Sequence, residues 1–147
     1  MKCGKCGAEA PSGQVPARIK VAGHTFTGEV AGARCGACGE EYYDGPAFER
    51  FELTVAVMLS TSDEPSGESF KFMRKVAGLR AAELAGLLDV AAETVSRWET
   101  GALPVERRAL ALLAAILADA LAGSDATLER LRAMRQPARL PKLVRVA

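Results

Sequence analysis

The sequence predicts an α+β fold, mostly α: a small β unit over residues 1–62, followed by an all-α half over residues 63–147. Three observations predict it. The pattern C-G-x-C-G occurs twice, at Cys3–Gly7 and Cys35–Gly39, and supplies the only four cysteines of the 147 residues. Between the pairs, apolar and polar residues alternate with the period of a half-buried strand. After the polar stretch STSDEPSG, residues 60–67, the apolar pattern is helical nearly throughout. Charge divides the same way: residues 1–65 hold six Lys/Arg against nine Asp/Glu, residues 66–147 thirteen against nine. An acidic half joined to a basic half reads as two domains with different tasks.

Each element has its own signal. Residues 8–13 read as loop. Val15, Ala17, Ile19 and Val21 alternate with Pro16, Arg18, Lys20 and Ala22, a strand with one buried face. Gly23-His24 is the expected turn, and His24–Thr27 resumes the extended pattern until Gly28 and Gly32 interrupt it. Asp44 or Gly45 is placed to cap a helix whose first residue is Pro46. That helix should run to about Leu59, with Phe48, Phe51, Val55, Met58 and Leu59 along one side. Residues 60–67 are the expected linker. Later breaks fall at Gly78, at Asp89-Val90, at Gly101–Pro104 and at Gly123-Ser124. Aromatic content is 5%, so the core must be built from Leu, Ala and Val.

Two C-x2-C pairs, 28 residues apart, match the ligand spacing of a structural metal site. The two intervening residues make a tight turn that aims both sulfurs at one ion, and the glycines suit such turns. Cys3, Cys6, Cys35 and Cys38 fill a tetrahedral Zn²⁺ site, so one zinc ion with a structural role is expected. Iron fits the same ligands. A disulfide reading wants a secreted protein, and a redox C-x-x-C does not explain the duplicate. His24, the only histidine, is superfluous as a fifth ligand and reads as a hairpin residue.

The first twenty residues lack an apolar signal stretch, and the longest apolar run, Ala109–Ala118, is half the length needed to cross a bilayer. A cytoplasmic protein without a membrane partner is therefore expected. No enzyme is expected either. There is one histidine, the thiols are committed to a closed metal site, and no phosphate loop is present.

Residues 78–101, GLRAAELAGLLDVAAETVSRWETG, carry the second motif. A first helix over Ala81–Leu88 puts Leu84, Ala85 and Leu88 on one face. A turn at Asp89-Val90-Ala91 leads to a second helix over Ala92–Glu99, with Val95 and Trp98 inward and Gly101 as its stop. Two short helices joined by such a turn make a helix-turn-helix. The run ELAGLLDVAAETVSRWETG resembles the Xre/Cro type of this motif, which typically reads LA-xx-LGVS-xx-TVSRWE-x-G. Together with the cysteine pairs and CGEEYYD after the second, the chain from about Cys3 to about Leu121 resembles the MqsA (YgiT-type) family of zinc-binding antitoxins.

That resemblance implies an all-α Xre/Cro-type domain behind a zinc-ribbon-like β domain. It implies a repressor that binds double-stranded DNA at the operator of its own operon, with a toxin protein held by the N-terminal domain. The second motif helix would lie in the major groove. Ala92, Glu93, Thr94, Ser96 and Arg97 would face DNA, with Arg97 matched to guanine O6/N7 and Glu93 to a cytosine amino group. Glu99 would pair with Arg74. The chain departs from the pattern at Arg80 and Ala81, where Thr-Gln or Ser-Gln is usual; Arg80 can replace the phosphate contact electrostatically. It departs again at Asp89 for Gly and at Ala91 for a capping Ser. Those departures motivate the alternative, a zinc-stabilised protein-interaction scaffold whose helix-turn-helix reads no bases.

Two further features complete the reading. Leu110, Leu113, Leu117 and Leu121 make one stripe on the helix expected over Pro104–Leu121, with Leu112 and Ile116 beside it. This face is wide enough for both a core and a second copy, so Leu110, Leu113, Ile116 and Leu117 are expected to form a homodimer contact. After Glu129 the chain carries Arg130, Arg132, Arg135, Arg139, Lys142 and Arg145 and no acid. Such a tail can follow phosphates or remain solvated.

Overall fold

A computed structural model describes residues 1–63 and 65–147. Glu64, inside the stretch read as a linker, lies outside the described residues. Among those residues the chain forms a three-stranded antiparallel sheet followed by six helices. The strands are β1 (Ser12–Val21), β2 (His24–Arg34) and β3 (Glu41–Tyr43), in the order β1-β2-β3. The helices are α1 (Gly45–Ser60), α2 (Gly67–Val76), α3 (Ala81–Leu88), α4 (Ala92–Thr100), α5 (Arg107–Leu121) and α6 (Ala126–Met134). None of the described helices is long and apolar enough to cross a membrane.

The hairpin extends further than expected at its open end, to Ser12 and Arg34. Val21 pairs with His24, so the turn is Ala22-Gly23 and not Gly23-His24. Both turn residues have positive φ, 52° and 77°, the twist that a two-residue hairpin requires. Gly28 and Gly32 do not break β2. A β-carbon on Gly28 would strike the Phe51 ring, and one on Gly32 would strike the Tyr42 carbonyl and Val15. These are places of close approach within a strand. β3 was not expected; it pairs residues 41–43 with residues 32–34 and brings Tyr42 beside the cysteines.

Helix α1 starts as read. Asp44 accepts a hydrogen bond from the Ala47 amide at 3.1 Å, with Pro46 in the first turn. It buries Val55, Ala56 and Leu59, whereas Met58, expected on that side, is 57% exposed. Ser66 and Ser69 cap α2 reciprocally, each side chain accepting from the other's amide at 3.0–3.1 Å. Helix α5 begins at Arg107, three residues after Pro104, because Val105 first packs against the core.

The main core joins Val21 of β1 with Val55, Phe70, Met73, Leu84, Val95, Trp98, Leu113 and Leu117. Phe70 and Trp98 meet edge-on at 5.7 Å. Helix α1 packs on β2, on α2 and on α5, so it connects the sheet to the helical half. A second cluster, Val15, Ala17 and Val30, packs under Phe48 and Phe51. A third consists of Cys3, Ala10, Ala33 and Cys35.

Candidate functional site

The two cysteine turns have the same backbone. Cys3 N donates to Ala8 O at 2.8 Å and Gly7 N to Cys3 O at 2.9 Å. In the second turn Cys35 N donates to Glu40 O at 2.9 Å and Gly39 N to Cys35 O at 3.0 Å. Gly7 and Gly39 both sit near φ +75°, a conformation that a side chain would strain. Each turn buries its first sulfur residue, Cys3 or Cys35, and exposes its second, Cys6 or Cys38.

The four Sγ atoms lie within 4.8 Å of one another, with Cys3–Cys38 at 3.6 Å and Cys6–Cys35 at 3.5 Å. Metal–sulfur bonds of about 2.3 Å in a tetrahedron separate the sulfurs by about 3.8 Å. The cluster therefore fits one metal ion. Its electrostatics point the same way. Cys3 is pushed down to about 6, first by its bond with the Tyr42 hydroxyl, against the cost of burial. Cys35 is also lowered, by the amides of Cys38 and Ala37. At Cys6 the Ala8 amide lowers the value, but the sulfurs of Cys35 and Cys38 outweigh it and push it up to about 12. Cys38 is raised as well; burial and Cys35 outweigh the Glu40 amide. Two thiols are thus held below and two above the ordinary range, and a cation at the centre would favour the thiolate form of all four.

Tyr42 is the site residue that the sequence reading missed. Gly4 N donates to its hydroxyl oxygen at 2.9 Å, and the hydroxyl lies 3.3 Å from Cys3 Sγ, where it can donate to the thiolate form. The available signal was its place four residues after Cys38, in a chain with only two tyrosines.

Helices α3 and α4 meet across the three-residue turn Asp89-Val90-Ala91. Asp89 adopts the left-handed conformation, φ 55°, where Gly is usual. Ala91 is extended, in the position of an N-cap, with no side chain to cap α4. Val95 and Trp98 are buried, and Ala92, Glu93, Ser96 and Arg97 are exposed, with Thr94 partly so. Arg80 is exposed at the N-terminus of α3, where its Nε meets Glu83 Oε1 at 2.7 Å. Behind this surface Arg74 of α2 pairs with Glu99 of α4. Arg74 Nε and Nη2 engage the two carboxylate oxygens, the latter at 3.2 Å, and Nη1 donates to Leu79 O at 2.9 Å. Each side chain is 9% exposed, so a buried two-point contact fixes α4 against α2.

The residues expected at a dimer contact are placed otherwise. Leu113, Ile116 and Leu117 are buried in the chain's own core, and Leu110 is half-buried against it. The physical reason is α1, which covers the apolar face of α5 from within the same chain. His24 stands at the hairpin, away from the sulfurs.

Comparison with protein-family models finds no match for this chain, and comparison with curated proteins finds none either.

Proposed function

We propose that this protein is a sequence-specific DNA-binding repressor, in which α3 and α4 are the helix-turn-helix and α4 enters the major groove. The observation that carries the reading is the division of α4. Val95 and Trp98 are buried and Glu99 is clamped by Arg74, while Glu93, Ser96 and Arg97 point outward. A helix held so firmly on its inner side presents its outer polar groups at fixed positions, as base reading requires. Arg97 makes the bidentate guanine contact, and Thr94, Ser96 and Arg80 serve phosphates or neighbouring bases.

In the same reading Cys3, Cys6, Cys35 and Cys38 hold one Zn²⁺. Four thiolates complete its coordination, so the ion ties the N-terminal turns together and leaves no position for water. The wider role, an antitoxin that represses its own operon and holds a toxin through the N-terminal unit, rests on the resemblance of the cysteine pairs and TVSRWETG alone. A palindromic operator calls for a homodimer. Its contact lies outside Leu113, Ile116 and Leu117.

The test is binding to the DNA upstream of this gene, followed by fluorescence anisotropy for wild type and Arg97→Ala at two salt concentrations. Saturable, selective binding that the substitution abolishes supports the repressor. One pair of observations favours the scaffold instead: Glu83 occupies Arg80, and Ala91 offers no cap. Weak binding, equal on all sequences and indifferent to Arg97, would decide for it.

A further inference from the structure

The end of α6 faces α3 across a cleft. The Arg135 guanidinium fills the space over Gly86, where a β-carbon would collide with it. Arg135 and Gln136 share a cleft with Leu79, Glu83, Leu87 and Arg132. Leu79, Glu83 and Leu87 run the length of α3, and Arg135 shares a further cleft with Asp89 and Val90 at its other end, so the chain leaves the fold alongside α3. Residues 136–147 are then exposed throughout. They carry Arg139, Lys142 and Arg145 with no acid, and among the described residues none of these three, nor Arg135, forms an ion pair. A tail docked on its own fold would bury its apolar groups, yet Leu140 is 76% and Leu143 90% exposed. Twelve extended residues reach about 40 Å, more than the roughly 34 Å of one DNA turn.

We propose that residues 135–147 form a second DNA-contacting element, a basic arm that departs alongside α3 and follows the phosphates flanking the site read by α4. The inference rests on the reading of α3 and α4 as the DNA-binding unit. Cations without carboxylates suit a phosphate track, which needs charge and reach and no fixed side-chain geometry. The place of exit favours DNA over a protein partner, because it puts the arm next to α3, the first helix of the motif.

The experiment uses the full chain: wild type, the triple substitution R139Q/K142Q/R145Q, and R97A. Each is titrated on the upstream duplex and on a scrambled duplex of the same length, and each is sedimented for mass. With three phosphates no longer neutralised, the slope of log affinity against log salt should fall by about 2.7. Between about 50 and 200 mM salt, wild type then loses about 40-fold more affinity than the triple variant does. The weakening should be equal on both duplexes, while R97A should keep the slope and lose discrimination. A triple variant with the wild-type slope overturns the arm, and the reading of α4 stands if R97A still loses discrimination. An unchanged slope with altered sedimenting mass also overturns it and assigns the tail to protein contact. Absence of saturable wild-type binding to either duplex overturns both readings.

Discussion

Glu99→Ala removes one side of the buried pair with Arg74. The guanidinium, 9% exposed, keeps only the Leu79 carbonyl as a partner. Breaking a buried pair from one side costs about 3–5 kcal/mol, most of it from the uncompensated charge. For a domain of this size that is about a third to a half of a typical total stability. It lowers the melting temperature by about 9–15 °C at about 3 °C per kcal/mol. Replacing both partners, Arg74→Met with Glu99→Leu, should recover most of the loss, since apolar groups of similar volume need no pairing. The assay is thermal and urea unfolding followed by circular dichroism, with the double-mutant cycle completed by the Arg74→Met single variant. A loss below about 1 kcal/mol for Glu99→Ala, or a double variant as unstable as the sum of the singles, would refute the argument that this pair clamps α4.

Two further outcomes follow from local geometry. Tyr42→Phe removes the hydroxyl that favours the Cys3 thiolate and should weaken metal binding about 10–100-fold, as loss of a ligand's hydrogen-bond partner commonly does; competition with a chromogenic chelator measures it, and unchanged affinity would remove Tyr42 from the site. Ala91→Ser supplies the missing side chain at an extended N-cap, φ −68° and ψ 148°, and should stabilise by about 0.5–1 kcal/mol in urea unfolding.

Much of this was legible because local signals and tertiary demands agreed. Asp44-Gly45-Pro46 marks the start of α1 by capping chemistry alone, and Leu84, Val95 and Trp98 face inward as their spacing requires. The gathering of the four cysteines followed from ligand spacing, which a short turn converts directly into geometry. The misreadings concern what covers what. Gly28 and Gly32 read as breaks because nothing local reveals that Phe51 and Tyr42 press on them. β3 is three residues long and exists through its pairing with β2. The wide face of α5 does need a cover. Periodicity does not distinguish a second copy from α1, some fifty residues away in the same chain. Tyr42 has no periodic signature, since its role depends on a fold-back onto Cys3 and Gly4.

Base reading by α4 depends on Arg97. The most direct test measures the affinity of wild type and Arg97→Ala for every single-base variant of the bound upstream site. Wild type should lose about 1–3 kcal/mol when one particular G·C pair in each half-site is changed, and Arg97→Ala should be indifferent to that change while it discriminates elsewhere as before. If Arg97→Ala is weakened equally on all variants and its pattern of preference matches that of wild type, Arg97 contacts only the backbone, and α4 does not read sequence through it.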